Sequence, residues 1–257
     1  MKIVVNPKYN YLKEFISKIP HEPPAPEEVY QDKRNYVYKA TVDGTPLVIK
    51  KFKRPTLANC VIYTWFRMSK EERSYKYAFR LKEMGFDTAE PVAYIIQKKY
   101  GFVHTCYYIT EFLPYHLLSD YGNYDLQTLM DITNDFAEYT CNLHKSGIVH
   151  YDYNLGNVMF HKEDGKYKFA LIDIDRIVFG QKLKSKRIDG LRGLGFPLPL
   201  LGVFIERYTQ LAGLPTEIFF GALLLNKGVN LVQRIKQPYK AFMKWLKKVF
   251  GTKSNHE

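Results

Sequence analysis

Residues 150–157 read His150-Tyr151-Asp152-Tyr153-Asn154-Leu155-Gly156-Asn157, and Leu171-Ile172-Asp173 follows further along the chain. An Asp placed five positions before an Asn on one tight loop can accept the proton of a hydroxyl while the Asn amide oxygen holds a metal ion. The second acid, Asp173, ends the apolar run Phe169-Ala170-Leu171-Ile172. That pattern suits a strand delivering a carboxylate to a metal that bridges nucleotide phosphates. Asp152 is thus the candidate catalytic proton acceptor, and Asn157 and Asp173 are the candidate metal ligands around one transferred phosphoryl group. His150 reads as a brace for the loop, because Asp152 is the better matched acceptor near neutral pH.

The elements around this loop are ones that could hold it. Residues 126–144 repeat apolar side chains at helical spacing (Leu129, Ile132, Phe136, Tyr139, Leu143) and run into Gly147, a helix stop. Residues 158–161 and 167–172 are strand-like and joined by Glu163-Asp164-Gly165-Lys166, a hairpin. Upstream, residues 36–42 and 46–52 form a second hairpin across Asp43-Gly44. Residues 70–84 read as a helix in which Ser69 and Glu72 form a capping box and Gly85 gives the stop. Two further strands, over residues 90–96 and 105–110, lead to Glu111-Phe112-Leu113-Pro114. The first 19 residues suggest a short strand and a helix, and the prolines of residues 21–26 make a stiff connector.

Taken in order, these motifs resemble the protein-kinase-like superfamily over residues 34–180, and within it the bacterial lipopolysaccharide core kinases that phosphorylate Kdo or heptose. The narrower resemblance rests on residues 69–75, 85–91 and Ile172-Asp173-Ile174-Asp175-Arg176. Tyr151 stands where protein kinases carry Arg, and Ile174-Asp175 where they carry Phe-Gly. The resemblance implies an α+β, two-lobed protein-kinase-like fold with a small antiparallel sheet lobe and a mainly helical large lobe. The expected division is residues 1–28 as strand, helix and Pro-rich connector, 29–112 as the nucleotide-binding lobe, and 113–257 as the catalytic lobe. ATP and Mg²⁺ are the implied cofactors. Leu47-Val48-Ile49-Lys50 resembles the strand whose Lys meets the nucleotide phosphates, with Lys51 the rival by position. Glu72 is the candidate partner of Lys50, with Glu71 the alternate. The backbone at Glu111 and Leu113 falls where such folds recognise adenine. No Gly-rich loop precedes Lys50, which leaves backbone amides and Arg34 to cover the phosphates.

Length and composition agree with one two-lobed domain: 257 residues, 46% hydrophobic and 16% aromatic. The 38 basic and 26 acidic residues give +12, which favours an anionic partner. Cys60, Cys106 and Cys141 have no paired spacing that would suggest zinc or a disulfide framework. No apolar stretch is long enough to span a bilayer, and the first residues are too short for a signal peptide core, so a cytoplasmic location is expected. Residues 174–184 contain no Ser, Thr or Tyr, which removes the target of a phosphorylation switch. Lys182, Lys184, Lys186, Arg187 and Arg192 read either as a solvated face or as a landing surface for anions. In residues 231–250, apolar side chains at three and four residue spacing alternate with lysines. That pattern is either a core helix or one resting peripherally on an anionic membrane at its inner face. The resemblance implies a lipid-linked core sugar as acceptor; nucleic acid is not expected, since no recognisable binding motif is present. An atypical protein or small-molecule kinase using the same site, and a nucleotide-binding pseudokinase, are the alternatives. The pseudokinase is disfavoured because Lys50, Asp152, Asn157 and Asp173 are all present.

Overall fold

In the computed structural model, which describes residues 1–224 apart from 34, 57–59, 61–62, 65–67 and 181–186, the first apolar run forms β1 (Lys2–Val5). A 3-10 stretch over Pro7–Leu12 and α1 (Lys13–Lys18) follow. Next come β2 (Glu28–Asp32), β3 (Tyr36–Val42) and β4 (Thr45–Phe52). Asp43 and Gly44 both adopt positive φ, 48° and 76°, as the two central residues of a type I′ hairpin require. The chain continues through α2 (Lys70–Glu83), β5 (Asp87–Thr88), which joins the sheet of the second lobe, β6 (Pro91–Lys99) and β7 (Phe102–Glu111). Six strands build one antiparallel sheet in the order β1-β6-β7-β4-β3-β2.

Alternation along β4 decides what each face of this sheet does. Leu47 and Ile49 point to one face, which Tyr9, Leu12, Ile16 and Ile19 cover. The leading segment is therefore built into the sheet twice, as its edge strand and as the seal over its far side. Phe52 points to the opposite face and packs with Tyr75 of α2, Tyr94, Cys106 and Tyr108. Lys50 shares that parity and Lys51 does not.

The second lobe holds β8 (His116–Leu117), α3 (Leu126–Lys145), β9 (Ile148–His150), β10 (Val158–Glu163), β11 (Lys166–Leu171) and β12 (Ile177–Phe179). α4 (Arg187–Leu191) and α5 (Leu198–Ala212) follow, and residues 216–224 are helical. Asp125 caps α3 by accepting the Thr128 N–H at 3.0 Å. The β10–β11 turn repeats the earlier solution, with Asp164 and Gly165 at φ 49° and 78°. Phe136 of α3 stacks on Tyr153 of the loop after β9, ring centroids 5.5 Å apart, and also meets Phe169, Phe196 and Phe204. Each fully buried ring contributes about 1.5–3 kcal/mol relative to exposure, so the loop is anchored on the aromatic core of this lobe. The α+β, two-lobed arrangement expected from the sequence is the one observed. The helix considered over residues 231–250 lies outside the described residues, as do Lys182, Lys184 and Lys186.

Candidate active site

The loop between β9 and β10 is held by its own polar side chains. His150 is buried and its Nδ1 accepts the Asp152 N–H at 3.0 Å. Burial pushes its pKa down to about 4, so the ring is neutral and serves as the expected brace. The Asp152 carbonyl accepts from Asn154 Nδ2 at 3.1 Å and from Asn157 Nδ2 at 2.8 Å. The Asn154 Oδ1 in turn accepts the Gly156 N–H. Tyr153 is turned into the core, its hydroxyl 2.8 Å from Thr140 Oγ1. At Gly193 the chain passes so close that an added Cβ would sit 3.1 Å from the Tyr153 carbonyl oxygen. With these contacts made, the carboxylate of Asp152 is left half-exposed.

Asp173 follows β11 in the left-handed region, φ 53° and ψ 45°. Non-glycine residues enter that region at a cost, which marks a position where the surroundings over-determine the backbone. Its Oδ1 meets Lys50 Nζ at 2.7 Å across the cleft. Burial opposes ionisation of Asp173, but the Lys50 charge and hydrogen bond outweigh it and hold the carboxyl below its ordinary range. Asn157 and Asp173 line one cavity of about 930 Å³, together with Lys50, Glu111, Leu113 and Thr110. At the junction of the lobes the Glu111 N–H donates to the Glu90 carbonyl and the Phe112 N–H to the Pro46 carbonyl. The Leu113 N–H makes no such bond among the described residues, so a donor is left at the cavity wall.

Two expectations fail here. Glu72 does not approach Lys50; it pairs with Lys2 at 3.3 Å and Lys76 at 2.9 Å. Nor does it close a capping box, since Ser69 sits at the N-cap without a side-chain cap bond. The roll of α2 is the cause. Arg73, Tyr75 and Ala78 are buried against the rest of the protein, which carries Glu72 round to the outer side and leaves Ser74 as the α2 residue lining the cavity. The alternate, Glu71, is also turned away, into a buried site beside Cys106 where burial raises its pKa. Arg34 lies outside the described residues.

What links α2 to the site is a pair that was not singled out. Arg73 Nη2 lies 3.2 Å from Asp175 Oδ2, its Nε donates to the Asp175 carbonyl at 3.1 Å, and its Nη1 donates to the Met68 carbonyl at 2.6 Å. Both side chains are almost wholly buried, 6% and 7% exposed. Arg176 is the second unanticipated residue, its Nη1 3.5 Å from Asp152 Oδ2. The run Asp173-Ile174-Asp175-Arg176 was the signal available for both.

A small antiparallel sheet lobe, a helical lobe and a cavity lined by Lys50, Asn157 and Asp173, with Asp152 on the adjoining loop, define a protein-kinase-like fold. The family described as Lipopolysaccharide kinase (Kdo/WaaP) matches residues 50–196, more than half of the chain, and the chain belongs to that family. Among solved structures, WaaP in complex with acyl carrier protein matches with a TM-score of 0.59 at 17% identity, over 91% of this chain and 99% of that one. A co-crystal structure of WbdD and the kinase inhibitor LY294002 matches with a TM-score of 0.43 at 17% identity, over 75% of this chain and 46% of that one. Against curated protein sequences nothing matches.

Proposed function

We propose that this lipopolysaccharide kinase uses ATP and Mg²⁺ to phosphorylate a hydroxyl of a Kdo or heptose residue in the inner core, with Asp152 as the proton acceptor. The observation that carries the reading is the convergence of Lys50 and Asp173, 2.7 Å apart, on a cavity also lined by Asn157.

The donor set fits Mg²⁺, which is held by one or two carboxylates with substrate phosphates and water completing the shell. Asn157 spends its amide nitrogen on the Asp152 carbonyl, which fixes the flip and leaves Oδ1 as an acceptor beside Asp173. Asn157 and Asp173 would hold the ion, which supplies charge neutralisation of the phosphates. Lys50, released from Asp173 toward the phosphates, supplies a further point charge. The Leu113 amide and the backbone at Glu111 would meet the adenine edge. Asp152 takes the proton of the acceptor hydroxyl, a role worth roughly 10²–10⁴ in rate. Positioning and electrostatics of this kind make up most of what phosphoryl transfer needs.

The acceptor sugar is attached to a lipid, and the charge of +12 favours work at an anionic membrane on its cytoplasmic face. Among the described residues no helix is long and apolar enough to cross a membrane. The test is ATP turnover with purified, dephosphorylated core glycolipid in parallel with a generic protein acceptor. Transfer to the glycolipid alone is the expected result. Transfer only to protein, or to neither, would sink the reading.

A further inference from the structure

The β9–β12 ladder places His150 opposite Ile177 and so sets Arg176 beside Tyr151. The Tyr151 N–H donates to the Arg176 carbonyl at 3.3 Å. This backbone clamp brings the guanidinium to the catalytic loop from the side of the metal-binding segment, where Nη1 reaches Asp152 Oδ2 at 3.5 Å. The two side chains are 47% and 42% exposed. An ion pair so open to water adds little to stability, so folding gives little reason for it. A guanidinium carries five N–H donors, and beyond this ion pair that of Arg176 has no hydrogen-bond partner among the described residues. Arg73, by contrast, is committed to Asp175 and to the Met68 carbonyl.

We infer that Arg176 is a catalytic residue whose guanidinium binds the phosphoryl group while it passes from ATP to the acceptor. It is an arginine finger supplied by the same chain, and the inference rests on the kinase reading above. In the step it serves, the acceptor oxygen gives its proton to Asp152 and forms a bond to the γ-phosphorus. The bond from that phosphorus to the bridging oxygen breaks, its electron pair leaves with ADP, and Asp152 later releases the proton to water. Negative charge spreads over the equatorial oxygens during the transfer. A planar, permanently charged fork beside the proton acceptor stabilises that state more than the ground state. The same contact lines the transferred group up with the hydroxyl that Asp152 activates.

Full-length protein, [γ-³²P]ATP and dephosphorylated lipopolysaccharide core oligosaccharide provide the assay. Arg176→Gln is expected to lower kcat by about 10²–10³-fold with the KM for ATP unchanged and the melting temperature close to wild type. Arg176→Lys recovers only part of the loss, because an ammonium lacks the fork. In an Asp152→Asn background, Arg176→Gln lowers the residual rate again, whereas a residue that merely held Asp152 in place would cost nothing further there. Aluminium fluoride tightens ADP binding to the wild type and not to Arg176→Gln. A wild-type kcat in Arg176→Gln, with the parent enzyme active, overturns the inference and leaves the kinase reading standing. A raised KM for the oligosaccharide with kcat unchanged also overturns it, placing the guanidinium on an acceptor carboxylate instead. A parent enzyme that transfers phosphate to no acceptor ends both.

Discussion

Replacing Arg73 by Met removes the cation from a buried pair while keeping most of the side chain's volume. Asp175 would then be left 7% exposed and close to Asp173, without its guanidinium or the bonds that link α2 to its carbonyl. Breaking a buried ion pair by deleting one partner costs about 3–5 kcal/mol, a large share of the roughly 5–15 kcal/mol by which a domain is stable. For a chain of this size the melting temperature should fall by about 6–20 °C. The loss should depend on pH in a definite direction. Burial, and then repulsion from Asp173, already raise the Asp175 pKa in the intact protein, against the pull of Lys70 and Arg73. Without Arg73 that pKa rises further, so the folded variant holds a proton that the unfolded chain releases, and its stability falls as pH rises through the raised value. Urea unfolding at pH 5 and pH 7.5 is the assay. The variant should be closer to wild type at pH 5, and Asp175→Asn added to Arg73→Met should recover part of the loss at pH 7.5. A cost below about 1 kcal/mol, as for an exposed pair, or an equal cost at both pH values with no recovery by Asp175→Asn, would refute the reasoning.

Asp173→Ala should abolish binding of Mg²⁺–nucleotide by calorimetry, whereas Asp152→Asn should keep that affinity and lose roughly 10²–10⁴ in transfer rate; equal loss of affinity in both contradicts the division of roles. Lys50→Met should raise the KM for ATP or eliminate turnover, and Lys51→Met should do neither, because β4 sends it to the face of Tyr107. Glu72→Gln should leave the KM for ATP untouched and cost at most about 1 kcal/mol, since its lysine partners are half-exposed. Burial pushes His150 and His144 down to about 4 and about 3. Their neutral forms therefore stabilise the fold above the ordinary histidine pKa, and that contribution is lost as pH falls from about 6.5 toward 4. Melting temperatures of His150→Gln should show a shallower decline over that window than the parent, and an unchanged decline would remove His150 as a cause.

The features legible in the sequence are those whose cause is local. Asp43-Gly44 and Asp164-Gly165 declare their hairpins because only such pairs accept two successive positive φ values cheaply. Period-two alternation along β4 separates Lys50 from Lys51 once the buried face is known. The loop from His150 to Asn157 is self-bonded, so its side-chain order alone foretells its shape. What stayed hidden is what the roll of one helix and distant pairings decide. Helical spacing offers both Glu71 and Glu72 for the cleft, and only the packing of Arg73, Tyr75 and Ala78 shows that neither faces it. Arg73 and Asp175 are 102 positions apart, and no local pattern marks them as partners. β1 finds β6 at a comparable distance along the chain, which is why the leading residues read as a separate segment. The Asp125 cap of α3 was local and readable, through Asp125-Leu126-Gln127-Thr128, and was passed over in favour of the apolar spacing that follows it.

β2 forms an outer edge of the small-lobe sheet, bonded to β3 alone through a register broken between Val29 and Gln31, with all five of its residues exposed. Glu28, Tyr30, Gln31 and Asp32 also line the cavity that holds Lys50 and Asp173. That wall of the cavity is thus an edge strand whose residues belong to none of the three buried hydrophobic clusters. Opening at such an edge draws on only a fraction of the global unfolding free energy. For a nucleotide bound in the cavity, β2 would then act as a latch, lifting to admit or release it while β4 keeps Lys50 in place. Closing over the bound phosphates is then charged against affinity, so residues on β2 that never meet the nucleotide can tune how tightly it is held.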